Sequence, residues 1–354
     1  MAKQARSRAV KSGSNDPIGP VALIGSGPTS RAIKRHLADE RGLHVVQIGV
    51  DDGREEVTPC ALSAEIADCN SLIFVPNFDD LTQILAFGTR RRAQLLALAD
   101  TVLQAAQQSQ IKHLIVITTA MVYGAAAGQG LLADDAPLNA EPDDGLVGDA
   151  LAVEDLVANT ADLPFTILRP AAVVGPEVDT AATRHFEAPR ILVLRHIPIA
   201  WQFVHIDDIA EAVAHVLAKK LFGPIAVGAP GILDQETVEQ ISGMRRVEVP
   251  EAMARATAER LYRVGALPMP PTDLTYVTRS WAVEANRLTA SGWQARYDNA
   301  QCFRELLVEA RKHHAVAGRR IGGKDAAALG AAGAAVALLG TAAVWRRARG
   351  NRRR

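Results

Sequence analysis

Apolar and polar positions along the chain alternate between two patterns. Short apolar runs occur at 21–25 (VALIG), 44–49 (HVVQIG), 71–76 (SLIFVP), 113–119 (HLIVITT) and 165–170 (FTILRP). Each is short enough for a strand and apolar enough to be covered on both faces. Helical spacing separates them: 29–38 follows the first run, and 90–108 carries the stripe LLALADTVLQAA. Residues 145–157 (GLVGDALAVEDLV) place Leu146, Ala150, Val153 and Val157 at helical spacing, and Asp149, Glu154 and Asp155 are expected to form a solvated face. Strands alternating with helices imply an α/β fold with a doubly wound parallel sheet, because βαβ crossovers are right-handed.

In such sheets ligands bind beyond the carboxyl ends of the strands, where strand order reverses. That rule gathers residues 25–31, Asp51, residues 75–77 and residues 118–124 around one crevice. The first segment, GSGPTSRA, has Gly25 and Gly27, with Ser30 where a third glycine is expected and Arg31 next to it. A glycine turn that opens a helix lets a pyrophosphate approach backbone N–H groups, although the same spacing also suits a plain strand-to-helix turn. Pro28 fits the first helical turn, where a missing N–H is no loss. Asp51 suits either an adenosine ribose or a place in a loop beside Asp52.

Composition narrows the class. The 354 residues are 48% hydrophobic and 5% aromatic, ordinary for a folded protein. Cys60, Cys69 and Cys302 form no C-x-x-C pair, so no metal site is expected and reduced thiols in a cytosolic protein are. The net charge of zero hides an asymmetry. Of 39 bases and 39 acids, four bases and one acid precede Pro17 and eleven bases and one acid follow from Arg311 on, leaving 24 bases and 37 acids between. An acidic body with basic ends argues against nucleic acid and is compatible with an anionic membrane surface.

The ends read differently from the body. Residues 1–17 read as a flexible basic arm without a secretory signal, and 311–325 as a basic linker. Residues 326–345 (AAALGAAGAAVALLGTAAVW) carry no charge and precede the basic tail 346–354. At 1.5 Å per residue that length spans a bilayer core, so a C-terminal hydrophobic helix anchoring a cytoplasmic body is expected, with Gly330 and Ala334 allowing close helix approach. An Ala-rich tail that does not insert is the alternative.

Four further stretches carry a family resemblance. IKHLIVITTAMVYG, LPFTILRPAAVVGP, FVHIDDIAEAV and LTASGWQARYDNAQCFRELL resemble, in order, segments of the extended short-chain dehydrogenase/reductase family, the NAD-dependent epimerases and dehydratases. The resemblance runs from about Val21 to Leu307. It implies a Rossmann-like NAD(P)-binding domain at 18–175 and, at 176–310, the remaining Rossmann segments with a small C-terminal substrate domain. It also implies NAD or NADP held by Gly25, Gly27, Ser30, Arg31, Asp51, Val75 and Pro76, a small-molecule substrate, and a homodimer paired through the helices at 90–108 and 145–157.

The family's proton chemistry needs Tyr-x-x-x-Lys on the second of those helices. Setting Glu154 on that helix's characteristic Glu puts Leu146 and Ala150 at the two positions. Every tyrosine fails the test, since Tyr123, Tyr262, Tyr276 and Tyr297 are followed four residues on by Ala127, Ala266, Ser280 and Gln301. Thr119 matches the family's Ser/Thr as a candidate catalytic group, or it caps its own backbone. Ala172 stands where epimerases carry an Asn and Trp201 where many carry an Arg, which removes groups suited to a diphosphate and would favour an apolar or lipid-linked ligand. The segment before the third strand also looks shortened. Asp207 or Asp208 is expected to cap the helix that follows FVH. Two functions follow: a binding or scaffold module with reduced catalysis, or an active membrane-tethered oxidoreductase or epimerase-like enzyme with a non-standard acid or base.

Overall fold

The computed structural model describes residues 18–49, 58–126, 128–143, 145–264, 267, 270–312, 315–316 and 319–320. The chain begins with β1 (Val21–Ile24) and α1 (Pro28–Lys34), which runs on unbroken into a π-helical stretch, Arg35–Glu40. β2 (Val45–Ile48), α2 (Pro59–Glu65), β3 (Ser71–Phe74), α3 (Leu81–Ala86) and α4 (Arg91–Gln108) follow. Next come β4 (His113–Ile117), α5 (Leu146–Ala158), β5 (Phe165–Pro170), β6 (Ala172–Val174) and α6 (Ala181–Glu187). The chain continues through β7 (Ile191–Leu194), β8 (Ala200–Trp201), β9 (Phe203–His205), α7 (Ile206–Lys219) and β10 (Gly223–Val227). It closes with β11 (Leu233–Asp234), α8 (Gln235–Ser242), β12 (Arg246–Val249), α9 (Glu251–Arg263), α10 (Asn286–Ala290) and α11 (Asn299–Ala310).

Among the described residues, six strands form one sheet in the order β2-β1-β3-β4-β5-β10, with every neighbouring pair parallel. The chain moves outward from β1 to β2, then returns past β1 to β3, so the reversal lies between β1 and β3. All five expected strands form. Successive strand residues point to opposite faces, and each face buries its own core. Val21, Leu23, Ile73, Ile115 and Leu168 pack with α1 and α7 on one side, while Ala22, Ile24, Leu72, Val116 and Ile167 pack with α2, α4 and α5 on the other. Each fully buried aliphatic side chain contributes roughly 1.5–3 kcal/mol, so two such layers explain why strands this short hold their place.

A third core lies beyond the sheet. The pairs β6/β9, β7/β12 and β8/β11 surround Phe186, Trp201, Phe203 and Phe303, with α6 and α11 closing over them. The excursion at 124–143 lies against the segment at 280–284 through Ala126 and Leu132. Asp134 pins it: its carboxylate accepts from the Ala226 and Arg287 amides at 2.6 and 3.1 Å, and its carbonyl accepts from the Tyr123 hydroxyl at 2.8 Å.

The C-terminal hydrophobic helix expected at 326–345 lies outside the described residues, as do the arm at 1–17 and the tail at 346–354. Among the described residues no helix is long and apolar enough to cross a membrane.

Candidate functional site

The crevice at the β1/β3 reversal is built by two loops. Gly25 leaves β1 with φ +140°, a conformation that favours glycine. A Cβ there would lie 2.5 Å from Ser30 Oγ and 2.7 Å from the Val75 carbonyl. Gly27 caps α1 and Pro28 takes its first position, as expected. On the facing side the chain leaves β3 through Val75 and Pro76, and Asn77 adopts φ +56°. That turn folds the next residues back onto the glycines.

The outcome is unlike an open anion site. The Gly27 amide donates to Asn77 Oδ1 at 3.0 Å, and the Thr29 amide donates to Asp79 Oδ2 at 2.6 Å. Pro28 has no N–H to offer. Asp79 is buried, which pushes its carboxyl above the usual range against the lowering effect of Thr29. Its Oδ1 and the buried Ser30 Oγ have no hydrogen-bond partner among the described residues. A diphosphate does not fit this arrangement, because a carboxylate already holds the position. Arg31 is half-exposed, donates to the Ser26 carbonyl at 2.8 Å and pairs with Glu177 at 2.5 Å. Asp51 lies outside the described residues.

Two cavities flank the closed turn. One, of about 280 Å³, is walled by Gly25, Val75, Pro76, Phe87, Gln94 and Leu95. Its size suits a flat ring system rather than a whole dinucleotide, since ligand pockets typically run to about 300–1,000 Å³, and Asn77, Gln83, Arg91 and Asp149 add polar groups to its mainly apolar walls. The other, of about 60 Å³, meets Thr119, Met121, Leu146, Ala171, Tyr276 and Trp281. Phe78 and Leu146 border both.

Thr119 lines the smaller cavity, and its hydroxyl oxygen accepts from the Met121 amide at 3.2 Å to cap the short turn Ala120–Tyr123. Leu146 and Ala150, which the resemblance sets at the tyrosine and lysine positions, are buried on α5. Burial and the charges of Asp143 and Asp273 push the Tyr276 hydroxyl upward, so it keeps its proton at neutral pH. Asp273 sits at the start of α5, 3.5 Å from the Leu146 amide. Burial first, then the Asp143 charge, raise its carboxyl to about 7.

The expectation of a solvated acidic face on α5 is corrected. Asp155 is exposed, but Asp149 and Glu154 are buried. Asp149 accepts from Arg91 Nε at 2.5 Å and Arg92 Nε at 2.7 Å. Glu154 accepts from Arg169 at 2.6 Å and from the Thr118 hydroxyl at 2.6 Å, while the Arg169 guanidinium lies 4.9 Å from the centre of the Tyr123 ring. Sequence reasoning missed these arginines. The available signal was Arg169 inside an otherwise apolar strand, where a charge must find a partner.

The late strand-to-helix junction needs a second correction. His205, not Asp207 or Asp208, caps α7, with Nδ1 accepting from the Asp207 amide at 3.2 Å. Asp208 is buried and holds the Arg296 and Tyr297 amides at 2.8 and 3.2 Å, while Asp207 pairs with Arg35. Trp201 is buried in the third core, its ring 6.2 Å from that of Phe203, and does not line the crevice. Cys69 and Cys302 are buried, burial pushing the Cys302 thiol up to about 12, while Cys60 is exposed.

Comparison with known proteins agrees with this frame. Residues 93–228 match the model of the NAD dependent epimerase/dehydratase family. An uncharacterized protein of Mycobacterium tuberculosis and one of Mycobacterium bovis are each 25% identical over 145 residues, 40% of this chain. The match spans only 39% of the length of these curated relatives. Among solved structures, UDP-glucose 4-epimerase of Thermus thermophilus in complex with NAD is 17% identical, with a TM-score of 0.57 over 82% of this chain and 99% of that one. A human epimerase family protein with NADPH is 16% identical, with a TM-score of 0.60 over 82% and 99%. The dTDP-glucose 4,6-dehydratase of Bacillus anthracis in complex with NAD is 12% identical, with a TM-score of 0.60 over 83% and 97%. At these identities the likeness carries the fold. The parallel sheet is thus the Rossmann-like fold of these solved structures, and residues 93–228 are similar to the NAD dependent epimerase/dehydratase family.

Proposed function

We propose that this chain is an NAD(P)-binding protein of the epimerase/dehydratase type that works as a dinucleotide-binding or scaffold module with reduced catalysis. One observation carries the reading: Leu146, which lines the smaller cavity, and Ala150, buried one turn further along α5, are both apolar, and neither exchanges a proton. The Thr119 oxygen accepts from its own turn, and burial and nearby acids keep the proton on Tyr276. Loss of a positioned acid or base lowers a rate by roughly 10²–10⁴. Support for the cofactor class comes from the shared fold, whose neighbours hold NAD or NADPH, and from the ring-sized cavity beside Gly25.

Calorimetry with NAD⁺, NADH, NADP⁺ and NADPH tests binding, and turnover assays with simple alcohols and nucleotide sugars test the chemistry. Binding without turnover is the expected result; turnover that falls on Thr119→Ala refutes the module reading.

The second reading is an active oxidoreductase or epimerase-like enzyme with a non-standard acid or base. It is favoured by Asp273, which titrates near neutrality and has an unpartnered Oδ1 beside the start of α5. Under that reading Asp273→Asn abolishes turnover.

Two features complete the proposal. Attachment through residues 326–345 brings the full chain into the membrane fraction and leaves a chain ending at Lys324 in the supernatant. Pairing of two copies through α4 and α5 doubles the mass seen by light scattering.

A further inference from the structure

We infer that the Asp79 carboxylate is a resident anion in the diphosphate position, so that a dinucleotide gains the start of α1 only when residues 77–80 withdraw. The inference rests on reading the crevice as a dinucleotide site, and it adds how that site is controlled.

Three observations support it. First, the donors are used up: Gly27 and Thr29 give their amides to Asn77 and Asp79, and Pro28 has none. Second, the two side chains occupy the space that glycine leaves open. A Cβ on Gly27 would lie 2.7 Å from Asp79 Oδ1 and 2.9 Å from Asn77 Oδ1. Third, the closed arrangement leaves polar capacity unmet, because Asp79 Oδ1 and Ser30 Oγ are buried without partners, at 4% and 0% exposure. Buried polar groups without partners carry a cost that an entering ligand with its own donors, or with bound water, relieves. A diphosphate placed beside Asp79 meets like charge at close range, so loop and ligand exclude each other.

The loop is also tied to the third core. The Asp179 amide donates to the Asp79 carbonyl at 2.9 Å, the Leu81 amide to the Asp179 carbonyl at 2.7 Å, and the Thr82 amide and hydroxyl to the Asp179 carboxylate at 3.1 and 2.7 Å. Arg184 at the end of the same ladder pairs with Asp179 at 2.7 Å. Withdrawal of Asp79 therefore shifts the segment that begins α6, which lines the smaller cavity through Ala181 and Ala182. Opening one pocket reshapes the other.

The test titrates the full chain, Asp79→Asn and Asp79→Ala with ADP, NADH and NADPH by calorimetry, with adenosine as the phosphate-free control. Asp79→Asn keeps the shape and removes only the charge, which covers the case in which Asp79→Ala does not fold. The expected result is binding of ADP and of NADH or NADPH tighter by about tenfold or more in both variants, with adenosine unchanged within about twofold. Equal or weaker ADP and NAD(P)H binding in the folded variants overturns the role of Asp79, and tight NAD(P)H binding by the unaltered chain then leaves the proposed function standing. Absence of any NAD(P)H or ADP binding in all the folded proteins overturns both.

Discussion

At the scale of single residues, buried ionic groups decide the character of the site. Arg169 and Glu154 are desolvated together, and Thr118 donates to the same carboxylate. Removing one charge leaves the other buried and unpaired, which costs about 3–5 kcal/mol. Glu154→Gln should therefore lose about that much in urea unfolding, and Glu154→Leu combined with Arg169→Met should recover most of it. Asp273 gives a pH dependence. Its carboxyl titrates near 7 in the folded chain and near 3.9 in the unfolded one. Between those values the native state holds a proton that the unfolded chain has released, so this group's contribution to stability declines as pH rises from about 4 to about 7. Three units correspond to on the order of 2–4 kcal/mol. Asp273→Asn, measured by thermal unfolding, should thus gain on the native chain at pH 8 relative to pH 4 and flatten the profile between them.

At the scale of elements, α5 shows what a sequence pattern conveys and what it omits. Its apolar stripe, Leu146, Ala150, Val153 and Val157, is buried as the helical spacing predicts. Its acids defeat the same reasoning, because their partners come from elsewhere: Asp149 meets the start of α4, and Glu154 meets β5. Periodicity reports a residue's place on its own helix, not the charge that a distant segment brings to it. The five core strands and the glycine turn were legible for the opposite reason, since each is specified by residues close in sequence. Asn77 and Asp79 were not, for their role depends on a left-handed turn at Asn77 that sends the chain back over Gly27. Position 150 also yields a prediction. Ala150 is 0% exposed, so placing a lysine there as Ala150→Lys, the residue the resemblance implies, buries an ammonium with no space prepared for it. The variant should lose several kcal/mol in denaturant unfolding, on the order of 3 or more, and should gain no turnover.

At the scale of the whole molecule, the sheet of six parallel strands among the described residues carries the crevice at its reversal point, and a separate core stands beyond it. The third core depends on few large rings, and Phe303, with no exposed surface, packs against two of them, Phe186 and Phe203. Phe303→Ala should cost about 3–5 kcal/mol and, read by tryptophan emission, should red-shift the signal of Trp201 in the same core. Asp134 has a different reach. It is bonded at once to β10, to the start of α10 and, through its carbonyl, to Tyr123, while Gly128 and Gly130 nearby are exposed. A protease that nicks the chain at that exposed stretch should leave two fragments clasped as one particle on a sizing column, separable only in denaturant.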